Sequence, residues 1–264
     1  MVGRLIQVFV IAFVALTAPA RCADQFSTDW AASAKSKARL VAADVGLAGF
    51  EIRLAPEAIT YWREPGDAGA PPTFDFSGSD NVAKVEPVFP APKRIAESDG
   101  SETFGYKDGV VLPLRIERRD ATKPATLAMH ANYAVCEKIC LPAQARLELT
   151  LPAAASPYAG LVEAALAAAP RPVLPKEFGN LSPDGVDGWR LCALHEAGKS
   201  RDLFVETPQG WLISAGQALN DATSDCFKLT LREKPKDADF PVALRLTMSG
   251  QRPVETTMEA GRPR

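Results

Sequence analysis

Apolar and polar residues alternate along two neighbouring stretches near the middle of the chain. Every second residue is apolar across residues 127–135, and the same alternation returns across residues 145–151. A period of two puts the apolar side chains on one face of an extended chain, so each stretch is a predicted strand with one buried face. Cys136 and Cys140 lie between the two strands, with three residues separating them. The pattern predicts a β-hairpin that carries both cysteines at its tip.

Short strand-like stretches continue on both sides of this hairpin, and clusters of Pro, Gly, Asp and Ser separate them. Before the hairpin, strands are predicted over Phe50–Leu54, Ile59–Trp62, Thr73–Phe76, Val82–Val88 and Val110–Ile116. After residue 176, they are predicted over Trp189–His195, Leu203–Glu206, Trp211–Ile213, Cys226–Leu231, Val242–Met248 and Val254–Met258. This spacing is typical of antiparallel sandwiches, so the fold class is predicted to be all-β. We expect Trp62, Trp189 and Trp211 to fill the cores.

Two segments favour helices instead of strands. One covers residues 28–45. The other is the alanine-rich stretch Pro157–Ala168, where Ser156 is the expected cap and Pro157 suits the first turn.

The prolines that follow the second predicted helix mark a predicted domain boundary. Pro170, Pro172 and Pro175 stiffen a segment that has little apolar surface to pack. A chain of 264 residues, of which 47% are hydrophobic, is long enough to bury two ordinary cores. We therefore predict a first β-sandwich domain over residues 24–152, a helical and proline-rich linker over 153–175, and a second, smaller β-sandwich domain over 176–264.

Residues 1–20 have the pattern of a cleaved secretory signal peptide. A short basic start is followed by an apolar run over residues 5–16 and then by Ala18 and Ala20, at the spacing that a signal peptidase accepts. The apolar run is shorter than the ~20 residues of a membrane helix, and no other stretch of the sequence comes close. We expect an exported, soluble, periplasmic protein. Cys22 is either removed with the signal or retained near the terminus.

Charge and histidine content argue against several classes of function. The formal net charge is −2 and Lys and Arg form no run, so neither nucleic acid nor a strongly anionic membrane is an expected partner. His130 and His195 are the two histidines, and neither is accompanied by a nucleophile-elbow motif. A serine hydrolase is therefore not expected.

Five cysteines in an exported chain favour disulfide bonds, because oxidising compartments allow them to persist. A three-residue loop between antiparallel strands brings the flanking Cα atoms to about 5.5 Å, which lets Cys136 pair with Cys140. Cys192 and Cys226 fall in separate predicted strands, 34 positions apart, and are expected to form a structural bridge between the two sheets of a sandwich.

Three functions are open to the Cys136–Cys140 pair. Thiol exchange needs an attacking thiolate, a second thiol that resolves the mixed disulfide and access for a partner, and this pair supplies all three. The alternatives are an inert staple across the hairpin and a metal pair, in which His130 would complete a soft site for Cu(I). Lys138 favours a thiolate and Glu137 opposes it, so the two charges give no net direction for the thiol pKa. We expect no resident cofactor or metal.

Four segments of the chain together form a recognisable pattern: the cysteine segment Tyr133–Ala143, the stretch Gly105–Leu114, and the upstream segments Thr60–Arg63 and Pro71–Asp75. They resemble the N-terminal periplasmic domain of DsbD-type thiol:disulfide interchange proteins, above all the form found in ScsB-like (suppressor of copper sensitivity) proteins. The resemblance covers residues 30 to 152 well and the remainder more loosely. It implies an immunoglobulin-like sandwich that takes electrons from a membrane-embedded partner and passes them to oxidised periplasmic proteins.

By motif position, the resemblance implies that Cys140 forms the mixed disulfide with partners and that Cys136 resolves it. The family shields its cysteines with a mobile cap loop, which falls here at residues 96–105, with Phe104 as the aromatic lid candidate and Glu102 beside it. Enteric DsbD has a longer spacing between its cysteines. The chain also lacks the membrane domain and the thioredoxin-like domain of the full-length proteins, so we expect a separate membrane-embedded thiol reductase as electron donor.

The favoured interpretation is therefore a periplasmic thiol-disulfide oxidoreductase of the electron-shuttle type, with oxidised periplasmic proteins as clients. Two alternatives stay open on the sequence. One is a copper-handling module that uses the same thiols, and the other is a non-catalytic binding or chaperone-like sandwich in which both cysteine pairs are structural.

Overall fold

The computed structural model describes residues 24–96, 100–194, 201–220 and 224–263. The predicted signal peptide, Cys22 and His195 lie outside these residues. Within them the chain forms twenty strands and two helices, and the all-β prediction is confirmed.

Eleven strands form the first sandwich. In chain order they are β1 (Ala31–Ser33), β2 (Ser36–Ala42), β3 (Leu47–Leu54), β4 (Ile59–Gly66), β5 (Thr73–Asp75), β6 (Val82–Pro87), β7 (Lys93–Ala96), β8 (Glu102–Lys107), β9 (Gly109–Arg118), β10 (Thr126–Cys136) and β11 (Cys140–Thr150). One sheet has the strand order β1-β2-β3-β9-β6, and the other has the order β11-β10-β4-β8-β7, with β5 paired to β10. Alternate apolar side chains of both sheets, such as Leu40, Phe50 and Leu127, form the buried core.

The second sandwich follows a short linker. The linker holds the helix α1 (Ala159–Ala167), the strand β12 (Arg171–Pro172) and the helix α2 (Pro175–Phe178). The remaining strands are β13 (Asn180–Pro183), β14 (Gly188–Leu194), β15 (Leu203–Glu206), β16 (Leu212–Ala215), β17 (Leu219–Asn220), β18 (Ser224–Glu233), β19 (Val242–Met248) and β20 (Val254–Ala260). Together with β12, they form sheets of order β12-β20-β19-β15 and β13-β14-β18-β16, with β17 paired to β18. Trp189 and Trp211 are buried in this core and Trp62 in the first, as predicted.

One predicted helix is confirmed and the other is wrong. The alanine-rich stretch forms α1, although its N-cap is Tyr158 and not the expected Ser156, so Pro157 lies before the first turn. Val162 of α1 packs on Val41 on the outer face of β2. Residues 28–45 contain β1 and β2 instead of a helix. Ala38 and Leu40 are wholly buried in the sandwich core, while Arg39 between them stacks on Trp30. Packing of β2 against the sandwich core on one face and against α1 on the other outweighs the helix propensity of these Ala, Lys, Arg and Leu residues.

The second sandwich contributes a side chain to the core of the first. Phe204 of β15 is wholly buried and belongs to the same apolar cluster as Trp62. Its ring centroid lies 5.6 Å from that of Trp62 and 4.9 Å from that of Phe104. The two sandwiches are therefore packed against each other through β4 and β8.

Ion pairs reinforce this packing. Arg63, next to Trp62 on β4, contacts Glu206 at 2.7 Å and Glu255 at 3.0 Å in the second sandwich. Arg94 of β7 contacts Asp202 at 3.3 Å and donates a hydrogen bond of 3.0 Å to the carbonyl oxygen of Leu203. The side chain of Arg94 is 8% exposed and that of Arg63 is 18% exposed, so water screens these charges only weakly.

Candidate redox site

The predicted hairpin is confirmed, and both cysteines lie at its tip. β10 and β11 pair along their whole length, from Thr126 opposite Thr150 to Cys136 opposite Cys140. Apolar side chains of both strands face the core, as the alternation predicted. The register therefore places the two cysteines directly across from each other.

Cys136 and Cys140 form a disulfide bond, with their Cα atoms 4.1 Å apart. The backbone N–H of Gln144 points away from β10, toward the hydroxyl of Ser33. Because amide directions alternate along a strand, Cys140 also directs its amide away from β10 and forms a non-hydrogen-bonded pair with Cys136. Such pairs have the closest Cα atoms of an antiparallel ladder, ~4.5 Å, so the hairpin register itself brings the two sulfurs together.

The two cysteines differ in exposure. Cys136 is 5% exposed and packs with Ile59 and Ile95 in a small apolar cluster. Cys140 is exposed, and its neighbour Ile139 is 67% exposed. An incoming sulfur atom therefore reaches Cys140 before it reaches Cys136.

Tyr61 of β4 contacts both sulfur atoms. Its hydroxyl lies 2.8 Å from Sγ of Cys136 and 3.3 Å from Sγ of Cys140. The sulfurs of a disulfide carry no proton, so the tyrosine hydroxyl donates. Gly69, in the loop after β4, lies against the ring, since a Cβ atom added there would come within 2.3 Å of Cε1 of Tyr61. The loop backbone thus holds the tyrosine ring toward the disulfide.

The charged residues between the cysteines have different surroundings. Glu137 forms an ion pair with Lys35, in the turn between β1 and β2. Lys35 lowers the pKa of Glu137, mainly through the hydrogen bond that it donates and secondly through its positive charge. Because Lys35 offsets the charge of Glu137, the exposed Lys138 carries the uncompensated charge of the hairpin tip itself. A positive charge favours the thiolate form of a neighbouring cysteine.

The predicted cap residues are not brought to the cysteine pair. Thr103 of β8 lies opposite Ile95, so these two side chains share a face, and Ile95 packs on Cys136. Phe104 is the next residue and faces the other way, where it packs against Phe204 of the second sandwich. Glu102 forms an ion pair with Arg94, on the same face of the sheet as Phe104. Residues 97–99 of the predicted loop lie outside the described residues.

The second cysteine pair is also bonded, although its geometry differs from the prediction. Cys192 and Cys226 form a disulfide with Cα atoms 4.1 Å apart. They lie directly opposite each other on β14 and β18, which are neighbours in one sheet. The predicted bridge between the two sheets is therefore wrong, because register within one sheet already brings these cysteines together. Both cysteines are half-buried, so neither sulfur is presented at a hairpin tip.

His130 does not complete a copper site with the cysteines. It lies six residues before Cys136 on the same extended strand, which corresponds to about 20 Å at ~3.3 Å per residue. Its register partners are Asp75 and Arg146. No group of three or more potential metal ligands from His, Cys, Asp and Glu occurs in the described ranges. The predicted Cu(I) site is therefore wrong, because its third ligand, His130, is too far from the two cysteines.

Sequence patterns indicated the cysteines but missed the residues around them. Tyr61 was part of a recognised segment, yet nothing in its neighbours on the strand shows that its hydroxyl reaches the sulfurs. The contacts of Cys136 with Ile59 and Ile95 depend on the pairing of distant strands. The strand alternation that buries Ile59 was readable from the sequence, but its partner was not.

A closed disulfide on a hairpin tip, with one buried and one exposed sulfur, is an arrangement that suits thiol:disulfide interchange. Residues 24–152 match the family described as "Thiol:disulfide interchange protein DsbD, N-terminal", and this part of the chain belongs to that family. No curated protein sequence matches the chain significantly.

The fold also resembles a solved structure. The crystal structure of the N-terminal periplasmic domain of ScsB from Proteus mirabilis matches with a TM-score of 0.69 and 20% sequence identity. The match covers 90% of this chain and 100% of the other, so the likeness in fold extends over both sandwiches. None of the helices among the described residues is long and apolar enough to cross a membrane.

Proposed function

We propose that this chain is a periplasmic thiol-disulfide interchange protein that relays electrons through Cys136 and Cys140. A membrane-embedded thiol reductase supplies the electrons, and oxidised periplasmic proteins receive them. The observation that supports this proposal best is the difference between the two bonded sulfurs. Cys136 is buried beside Tyr61, whereas Cys140 is exposed at the hairpin tip.

The relay has two balanced halves. In the first half, a thiolate of the donor attacks Sγ of Cys140, the bond to Cys136 breaks, and Cys136 leaves as a thiolate that the Tyr61 hydroxyl can hydrogen-bond. A second donor thiol then releases Cys140, so the donor dithiol becomes a disulfide and this protein becomes a dithiol. In the second half, the Cys140 thiolate attacks a client disulfide, and Cys136 displaces the client from the mixed disulfide. Two electrons and two protons pass from donor to client.

The second disulfide is assigned a structural role in this proposal. Cys192 and Cys226 are half-buried within paired strands, away from any hairpin tip. Thiol exchange requires access to the attacked sulfur, so this pair is expected to open slowly. The proposed working unit is the sandwich of residues 24–152, with residues 176–264 forming a second domain after the linker.

Trapping with cysteine variants tests the relay. Full-length Cys136→Ala keeps the exposed Cys140 thiol without its resolving partner, so it is expected to accumulate mixed disulfides with periplasmic proteins. Cys140→Ala is the matched control and is expected to trap none of them at the same folded yield. If both variants trap equally, or if millimolar dithiothreitol reduces both disulfides of the wild type at one rate, the proposed relay is wrong.

A further inference from the structure

Several turns of the first sandwich meet at the end that carries the disulfide. Lys35 in the β1–β2 turn is tied to Glu137 of the cysteine hairpin. The carbonyl oxygen of Lys35 accepts a hydrogen bond from the backbone N–H of Ala55, at the start of the turn that holds Glu57. The carbonyl oxygen of Asp108, in the β8–β9 turn, accepts one from the last residue of β3. This end of the sandwich is therefore one connected surface around the redox pair.

The backbone is unusual at three of these positions. Lys35, Glu57 and Asp108 have φ angles of 47°, 64° and 68°, in the left-handed region that glycine adopts most easily. Among the described residues, only one other non-glycine residue, Asn81, has a positive φ. A residue with a side chain in this conformation carries a backbone cost that glycine would not, and such residues are concentrated at functional sites. Three charged side chains at this surface therefore stand where glycine would be less strained.

Two of these residues line a groove beside the disulfide. The groove has a volume of about 190 Å³, and Cys136 forms part of its wall. Its floor is apolar, with Ala58, Ile59 and Ile95, and its rim carries charged side chains. The rim residues are Glu57, Lys107, Asp108 and Glu137. A space of this size holds a single long side chain rather than a folded element.

The rim has a surplus of negative charge. Lys35 neutralises Glu137 through their ion pair. Glu57 and Asp108 have no ion-pair partner in the part of the chain that the structure describes, and Lys107 offsets one of them. An apolar floor below a net negative rim is complementary to a side chain that combines a methylene stem with a positive end.

We propose that this groove binds a lysine or arginine side chain that lies next to the reactive cysteine of a partner protein. This inference rests on the relay proposed above and specifies the partner segment that it recognises. The methylene stem lies on Ile59 and Ile95, and the cationic end reaches Glu57 and Asp108. A partner cysteine bonded to Cys140 lies next to Cys136, which forms part of the groove wall. The partner chain advances ~3.5 Å per residue, so a side chain one or two positions from that partner cysteine can enter the groove.

Peptide disulfides provide the test. The protein is full-length Cys136→Ala with Cys22→Ser, so that Cys140 is its free thiol. The probes are short peptides whose central cysteine carries 2-nitro-5-thiobenzoate and is flanked by Lys, Leu or Glu. The Cys140 thiolate attacks the peptide sulfur, and the coloured thiolate leaves. At low ionic strength, the Lys peptide is expected to react about ten times faster than the Glu peptide, because charge complementarity speeds encounter and stabilises the complex.

Two double variants isolate the groove. Glu57→Gln with Asp108→Asn is expected to abolish the preference for the Lys peptide, and asparagine tolerates the left-handed φ at position 108. Glu117→Gln with Glu148→Gln removes the same charge from exposed positions of β9 and β11 and is expected to retain the preference. All variants should react equally with 2-hydroxyethyl disulfide, which is small and uncharged.

The outcomes separate this inference from the relay. Equal rates for the three peptides, or a Lys preference that survives in the Glu57/Asp108 double variant, overturn the proposed groove while leaving the relay intact. A Cys140 thiol that reacts with neither the peptides nor 2-hydroxyethyl disulfide overturns the relay and the groove together.

Discussion

The hydroxyl of Tyr61 lies 2.8 Å from Sγ of Cys136, on the buried side of the disulfide. When the disulfide opens, this hydroxyl is in place to donate to the Cys136 thiolate. A hydrogen bond to a charged group contributes about 1.5–3 kcal/mol. The reduced form of the pair is thereby stabilised, because a thiolate accepts a stronger hydrogen bond than a disulfide sulfur does.

Tyr61→Phe is therefore expected to lower the reduction potential by about 30 mV or more, since ~1.4 kcal/mol corresponds to ~30 mV for a two-electron couple. Equilibration with glutathione measures the change. Tyr133→Phe is a matched control, because its hydroxyl contacts Ser36 at 2.9 Å instead of the cysteines. Equal shifts in both variants would contradict a specific role of Tyr61.

Ile139 is expected to contribute to partner binding. It is 67% exposed and adjacent to Cys140, so a docked partner would cover it. The exchange partner for this test is a client protein that the Cys136→Ala variant has trapped. Ile139→Ser should slow thiol exchange with that client about tenfold, because burial of such a side chain contributes roughly 1–2 kcal/mol. The rate with dithiothreitol should not change. Val186→Ser, at a position that is 87% exposed in the second sandwich, is the control and should leave both rates unaltered.

Arg63 is expected to hold the two sandwiches together. Its side chain pairs with Glu206 and Glu255, and all three side chains are less than 20% exposed. Arg63→Ala should lower the free energy of unfolding by about 2–4 kcal/mol, because it leaves two partly buried carboxylates without this partner. Urea denaturation measures the loss. Arg53→Ala removes a guanidinium that is 56% exposed and should cost less than ~1 kcal/mol. Equal losses would contradict the assignment.

Glu64 should make stability depend on pH. Burial raises the pKa of Glu64 above its ordinary value of 4.5, and the negative charge of Glu206 raises it further. A hydrogen bond that the carboxylate accepts from the backbone N–H of Gly66 offsets only part of this increase. The folded protein then holds the proton more tightly than the unfolded chain, so stability is lost as pH rises from the unfolded value through the folded one. Glu64→Gln should stabilise the protein at neutral pH by less than ~1 kcal/mol, since the half-buried group is partly screened.

Thermal unfolding measured from about pH 4, near the ordinary glutamate pKa, up to neutral pH checks this. The difference in Tm between Glu64→Gln and the wild type should grow with pH and then level off. Glu117→Gln, at an exposed position, is the matched control. A Glu64→Gln protein that is less stable than the wild type at neutral pH would refute the expected sign.

Strand periodicity predicted the parts of the fold that have one buried face. β10 and β11 alternate cleanly, so both their existence and the hairpin register followed from the sequence. β2 did not follow, because Val41 packs under α1 while Leu40 faces the core, and burial on both faces hides the alternation. Intrinsic helix propensity then dominated the prediction over residues 28–45.

The candidate site was predictable to the extent that it lies within one hairpin. Cys136 and Cys140 are close in sequence, so turn geometry alone brings them together. Tyr61 reaches them from a strand that pairs with β10 over two residue pairs, and no local pattern encodes that pairing. Phe104 was assigned to a lid from the family resemblance, as the aromatic residue of the expected cap loop, but its ring packs on Phe204 of the second sandwich.

Phe204 has a consequence for how the protein can be divided. A fragment that ends at residue 152 loses this ring, and with it the cover of Trp62, which is wholly buried in the intact chain. The end of the family match at residue 152 therefore does not mark the end of a cooperative folding unit. Calorimetry of the intact chain should record one transition, whereas the isolated fragment should bind hydrophobic dyes and precipitate more readily.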